Sequence, residues 1–104
     1  MVFEIKSKKH GARMVFIDDE DWSRVKEYTW SIKREKPSTT LIIVAQKHLG
    51  MNRTRQIRLD QFVLKIEKMS WRNAFIIHKD ENDMNCRKEN LRFFGKKEGV
   101  IYAV

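Results

Sequence analysis

The chain is poor in the residues that build a scaffold without a core. Its 104 residues include one cysteine, Cys86, one proline, Pro37, and four glycines. A single thiol cannot close an internal disulfide, and it fits a reducing cytosol. Together with three scattered histidines, His10, His48 and His78, it also falls short of a zinc-finger ligand set. No apolar run approaches the roughly 18 residues of a membrane span. The start, Met1-Val2-Phe3-Glu4-Ile5-Lys6, lacks the apolar core of a signal peptide. A cytoplasmic protein with no membrane partner is expected. Repeats and low-complexity tracts are lacking as well, and the charged loop around Pro37 is too short for a linker or a domain boundary. Residues 1–104 therefore read as one domain, with a β-rich half over 1–56 and a second half over 57–104.

What is present points to a folded, basic protein. Hydrophobic residues make up 41% of the chain, enough for a modest core. Lys and Arg number 22 against 14 Asp and Glu, a formal charge of +8. A field of that sign favours polyanions, and nucleic acid is the first partner to consider. The excess leans toward the second half, +5 (12 basic, 7 acidic) after residue 50 against +3 (10 basic, 7 acidic) before it.

The pattern along the chain predicts small mixed strands and short helices, an α+β domain. Val2–Lys6 alternates and Arg13–Ile17 is apolar and β-branched, so the two form a candidate hairpin. The acidic run Asp18-Asp19-Glu20-Asp21 precedes Trp22, Val25 and Tyr28, whose spacing fits a short helix. The carboxylates suit its first turn as caps, with metal ligation as the rarer use of such a cluster. Thr39–Ala45 is the most strand-like segment, and Gln46–Asn52 is expected to turn the chain. Arg53, Arg55 and Arg58 lie on a segment that alternates basic and neutral residues, a pattern suited to phosphate contact. Leu59, Phe62, Val63 and Ile66 then recur at helical spacing, with Asp60 and Lys65 expected outward. Ala74–Ile77 reads as a short buried strand ending at His78. The closing residues 99–104, with glycine and β-branched side chains, read as a strand or a loose end.

The densest polar stretch follows that strand. Residues 76–92 hold one histidine, four acids and three asparagines behind the apolar pair Ile76-Ile77. Side chains of this kind make tight, hydrogen-bonded loops, and such loops on a rigid strand are where function concentrates.

These residues resemble the small HNH endonucleases of bacteriophages and mobile elements, a family with a ββα-metal motif. His78 falls on the family's general-base histidine. Asn90, in Glu89-Asn90-Leu91-Arg92, falls on the asparagine that orients it, and Asp80, Asn82, Asn85 and Arg87 fit the intervening loop. Upstream, Ile17-Asp18-Asp19-Glu20-Asp21-Trp22, Tyr28-Thr29-Trp30 and Ile57-Arg58-Leu59 are similar to the family's N-terminal half. The resemblance covers most of residues 13–98 and implies an HNH-like ββα motif in the C-terminal half. The chain departs from the family where metal chemistry is concerned. Ile77 stands at the metal ligand before the general base, Gly99 at the downstream ligand and Ile57 at the histidine of His-Arg-Leu. A divalent cation needs oxygen or nitrogen donors, and without one the charge that builds on a scissile phosphate loses its main stabiliser.

The resemblance and the charge together imply a degenerate member that binds DNA without metal-dependent cleavage, in the cytoplasm of the host cell of a phage or mobile element. The expected contacts are Arg53, Arg55, Arg58, Lys79, Arg87, Lys88, Arg92, Lys96 and Lys97, with no metal site and no cofactor. Two other readings stay open. One is an effector that inhibits a host protein through an exposed patch of Trp71, Phe93, Phe94 and Tyr102. The other is an active nicking enzyme with His78 and Asn90 catalytic and Mg2+ or another divalent cation caught by Asp80, Asp83 or His10.

Overall fold

In the computed structural model the chain forms three small antiparallel sheets joined by short helical turns, a mixed α+β arrangement dominated by strands. The structure describes residues 1–35, 39–66, 72–97 and 100–103, with residues 72–74, 96–97 and 100–103 described as backbone alone. No helix among the described residues is long and apolar enough to cross a membrane.

The first sheet is the hairpin expected from the alternation: β1 (Val2–Ser7) pairs with β2 (Gly11–Phe16). A single turn of 3-10 helix at Asp19–Asp21 leads into the one-turn helix α1 (Trp22–Val25). The second sheet has the order β3-β4-β5, from Ser31–Arg34, Leu41–Gly50 and Arg53–Arg58. β4 runs on through the segment expected to turn. The reversal is confined to Met51 and Asn52, both at positive φ (49° and 60°), as a two-residue hairpin loop requires. Helix α2 (Leu59–Val63) follows β5 directly. It stops where Lys65 takes a left-handed φ of 61°, yet Leu59, Phe62, Val63 and Ile66 are all buried as their spacing predicts. The third sheet has the order β6-β7-β8, from Arg72–His78, Leu91–Lys97 and Val100–Ala103. The tail is thus a strand hydrogen-bonded to β7, and no helix follows the β6–β7 pair among the described residues.

One core joins these pieces. Ile5 of β1, Val15 of β2, Val25 of α1, Ile32 and Ile43 of β3 and β4, Leu59 and Phe62 of α2, and Leu91 of β7 belong to a single buried cluster. Each such side chain contributes about 1.5–3 kcal/mol on leaving water. Tyr28, Trp30 and Phe62 meet edge-on or tilted, with ring centroids 5.5–5.9 Å apart, and the Trp30 indole donates to the Val25 carbonyl at 2.8 Å. Two expectations about burial fail. Asp60 is buried, with 5% of its surface exposed, and the strand read as buried is two-faced: Phe75 and Ile77 are 54% and 44% exposed while Ile76 packs on the core.

The polar loop after β6 is tied back to the first sheet. Phe16 donates to the Met84 carbonyl at 2.9 Å and accepts from the Cys86 amide at 2.8 Å, which brings the end of β2 beside residues 84–86. The packed loop holds Cys86 out of water, and burial pushes its thiol pKa up.

Candidate functional site

The loop 79–90 is built from short side-chain-to-backbone bonds, the chemistry for which its Asn and Asp residues are suited. Asp80 accepts from the Asn82 amide at 2.9 Å, Asn82 from the Met84 amide at 3.1 Å, and Asn85 from the Arg87 amide at 3.3 Å. Asn90 is buried at the centre. Its Oδ1 accepts from the Asp80 amide at 3.0 Å, and its Nδ2 donates to Asp80 Oδ1 at 3.0 Å and to the Asn85 carbonyl at 2.9 Å. That same carbonyl accepts from His78 Nδ1 at 3.0 Å. Asn90 therefore positions His78 through an intervening carbonyl rather than by direct contact.

The other imidazole nitrogen faces a partner that sequence reasoning placed outside. His78 Nε2 lies 3.5 Å from Asp60 Oδ2, with both side chains largely buried. Asp60 also receives Arg58, Nε to Oδ1 at 3.2 Å and Nη2 to Oδ2 at 2.8 Å, and Arg58 Nη1 reaches Glu35 Oε2 at 2.8 Å. Burial alone would lower the His78 pKa, but the Asp60 carboxylate and the Asn85 carbonyl outweigh it and the value is raised. Burial likewise works against the Asp60 carboxylate, and His78 and Arg58 more than offset it, holding its pKa below the usual range. The result is a continuous polar chain, Glu35–Arg58–Asp60–His78–Asn85–Asn90, running from the second sheet to the third.

Of the groups considered for a divalent ion, Asp83 shares a cleft with His78, but among the described residues no metal-ligand cluster includes His78. Ile77 offers no donor and lies on the opposite face of β6 from its neighbour. Asp80 is filled by amide donors, including Asn85 Nδ2 at 2.8 Å, and Asp83 Oδ2 accepts from the Leu41 amide at 3.0 Å. His10 lies in the β1–β2 turn region and lines a different groove. The Gly99 position lies outside the described residues. Elsewhere, Asp18, Glu20 and Asp21 bring carboxylate oxygens close enough to hold an ion. Lys88 is there instead, its Nζ 2.6 Å from Glu20, 2.7 Å from Asp21 and 3.7 Å from Asp18. The acidic run makes no side-chain cap. It docks the loop, with Asp18 also accepting from the Lys88 amide at 2.9 Å.

The nine basic residues named as DNA contacts thus divide. Arg58 and Lys88 meet carboxylates within the fold, and the Arg87 guanidinium lies 5.1 Å over the Phe16 ring. Arg53, Lys79 and Arg92 are exposed, and Arg55 is half-buried. The side chains of Lys96 and Lys97 lie outside the described residues. So do those of Trp71 and Tyr102 in the proposed apolar patch, whose Phe93 is fully buried in the structure.

A basic concavity that sequence reasoning did not assemble lies between the β1–β2 turn and the second sheet. Lys9, His10, Lys33 and Arg34 line it together with Ile32, Ile42, Gln56 and Glu35. The two basic runs, 8–10 and 33–34, are visible in the sequence, but their meeting depends on β1 packing beside β3. Glu35 and Ile42 also line the cleft that contains His78, Arg58 and Phe75, so groove and cleft adjoin. Comparison with family models, with characterised proteins and with solved structures returns no match for this chain.

Proposed function

We propose that this is a degenerate HNH-like domain that binds DNA and does not cut it. The observation that carries the reading is the state of His78. A general base needs an unshared ring nitrogen aimed at water or substrate, whereas here Nδ1 is bonded to the Asn85 carbonyl and Nε2 faces the Asp60 carboxylate. An imidazole so held favours its protonated form. Ile77 on the far face of the strand and the carboxylate of Asp80, taken up by amide donors, argue the same way, and among the described residues no metal-ligand cluster includes His78. The +8 charge and the groove of Lys9, His10, Lys33 and Arg34 support a polyanionic partner, held chiefly through its phosphates.

The test joins cleavage and binding. Supercoiled plasmid incubated with the protein and Mg2+ or Mn2+ is expected to stay intact. A labelled DNA is expected to be retained at low salt and lost steeply as salt rises. Nicking that disappears in His78→Ala would overturn the non-cleaving half of the reading, and absence of any DNA binding at low salt would overturn the other half.

A further inference from the structure

The outer face of the third sheet carries apolar groups that the core does not use. Phe75 and Phe94 sit opposite each other on β6 and β7, and their rings stack with centroids 5.2 Å apart and planes 23° from parallel. Phe75 remains 54% exposed and Ile77, two residues along on the same face, 44%. Exposed Arg92 pairs with Ile77 across the strands, and exposed Lys79 follows directly after β6. Arg92 and Lys79 thus place two cations beside this face, while the acids Glu81 and Asp83 lie in the cleft that Phe75 borders.

An exposed aromatic pair on a sheet has two ordinary explanations, cross-strand stabilisation or a surface covered by a partner. The neighbourhood decides between partners. Phe75 also borders the cleft that adjoins the basic groove through Glu35 and Ile42. The cleft itself is of mixed charge, with Glu35, Glu81 and Asp83 beside Arg58 and His78. But a cationic groove on one side of it and an exposed aromatic platform on the other match the needs of a single nucleic-acid strand: phosphates meet the positive charge, and unpaired bases stack on the rings. A duplex meets these needs poorly, because its bases are already stacked inside.

We infer that the preferred ligand is single-stranded DNA, with its backbone along the groove of Lys9, Lys33 and Arg34 and a base on the Phe75–Phe94 face. This rests on the DNA-binding reading above and narrows it to a substrate class. Fluorescence anisotropy with a labelled 20-mer of thymidylate and a mixed-sequence duplex of equal length would test it, run at two salt concentrations. The single strand should bind at least about tenfold more tightly than the duplex. Phe75→Ala should weaken single-strand binding about tenfold and leave duplex binding unchanged, and Phe75→Trp should restore it. Lys33→Glu with Arg34→Glu should weaken both and flatten the salt dependence. Circular dichroism of each variant establishes that it is folded, and Phe75→Leu, which keeps apolar bulk but removes the ring, replaces Phe75→Ala if the latter is not. Equal affinity for the two DNAs, with no effect at Phe75, would overturn the single-strand inference while leaving DNA binding in place. Failure of both DNAs to bind at low salt would overturn the underlying reading itself.

Discussion

Replacing Asp60 with asparagine should remove the carboxylate that raises the His78 pKa. The carboxylate accepts two bonds from Arg58 and one from the Gln61 amide, and it faces His78 Nε2. Asparagine preserves the shape and one oxygen but sets an NH2 group against the other donors. Breaking a buried ion pair costs about 3–5 kcal/mol when the partner charge is stranded. Here Arg58 keeps Glu35 and His78 can release its proton, so the loss should be about 2–3 kcal/mol near pH 6. The dependence on pH has a definite sign. Because the folded His78 pKa is raised, its contribution is fully present below the unfolded value of about 6.5 and is lost as pH rises through the folded pKa. The Asp60 pKa is lowered, so its contribution is present above the unfolded value of about 3.9 and is lost as pH falls. The gap between wild type and Asp60→Asn should be widest between these limits and narrow on the alkaline side. Urea unfolding across this range, with an NMR titration of the His78 ring, measures both. A His78 pKa that does not fall in Asp60→Asn, or a stability gap that does not change with pH, would refute the assignment of Asp60 as its partner.

Asn90→Ala should destabilise the protein by about 2–3 kcal/mol in urea unfolding, since three hydrogen bonds at a buried amide are lost together. It should also alter the His78 titration, because the Asn85 carbonyl loses its second donor. Lys88→Met should cost about 1–2 kcal/mol, allowing for solvent screening of a cation about a third exposed. Added NaCl should shrink that difference, and a Tm series in salt would read it. Cys86 should resist an aromatic disulfide reagent in the native protein and react at the unfolding rate, since its thiol is buried and its pKa raised. Rapid modification under native conditions would contradict the packing of the loop against Phe16.

Local pattern was enough for the hairpin, the strand from Leu41, the apolar face of α2 and the strand character of the tail. It failed where a side chain's surroundings come from far along the chain. Asp60 stands at the start of a helix whose wheel puts it opposite the apolar residues, so it reads as solvated. At a first-turn position, however, its carboxylate meets Arg58 on the preceding strand and His78 from β6. The acidic run at 18–21 reads locally as helix capping, while its partner is Lys88, 67 residues beyond Asp21. Phe75 to Ile77 reads as buried because the run is continuously apolar, a pattern that fits a strand covered on both faces. Only the Ile76 side is covered. The turn expected over Gln46–Asn52 is narrower than that, confined to Met51 and Asn52 at positive φ, because Gly50, which suggested a turn, still belongs to β4.

His78 and Asn90 carry the proposed likeness to a nuclease, and the structure gives each a mechanical use that does not require chemistry. Asn90 closes the loop on itself, and the carbonyl it steadies fixes one side of the imidazole. Asp60 faces the other, and through Arg58 the chain of charges reaches Glu35 in the lining of the basic groove. A buried ionic network of this kind adds little net stability compared with apolar packing of the same volume, but removing one member strands the rest. Its value is therefore expected to lie in orientation, since it ties the second sheet, which carries Lys33 and Arg34, to the third, which carries Phe75 and Phe94. If groove and aromatic face act on one strand of DNA, that orientation governs affinity. Asp60→Asn should then weaken single-strand binding at salt concentrations where the variant is still folded, although Asp60 is buried beneath the surface the DNA would touch. The same affinity in wild type and Asp60→Asn would mean that groove and face bind independently, and that the network serves the fold alone.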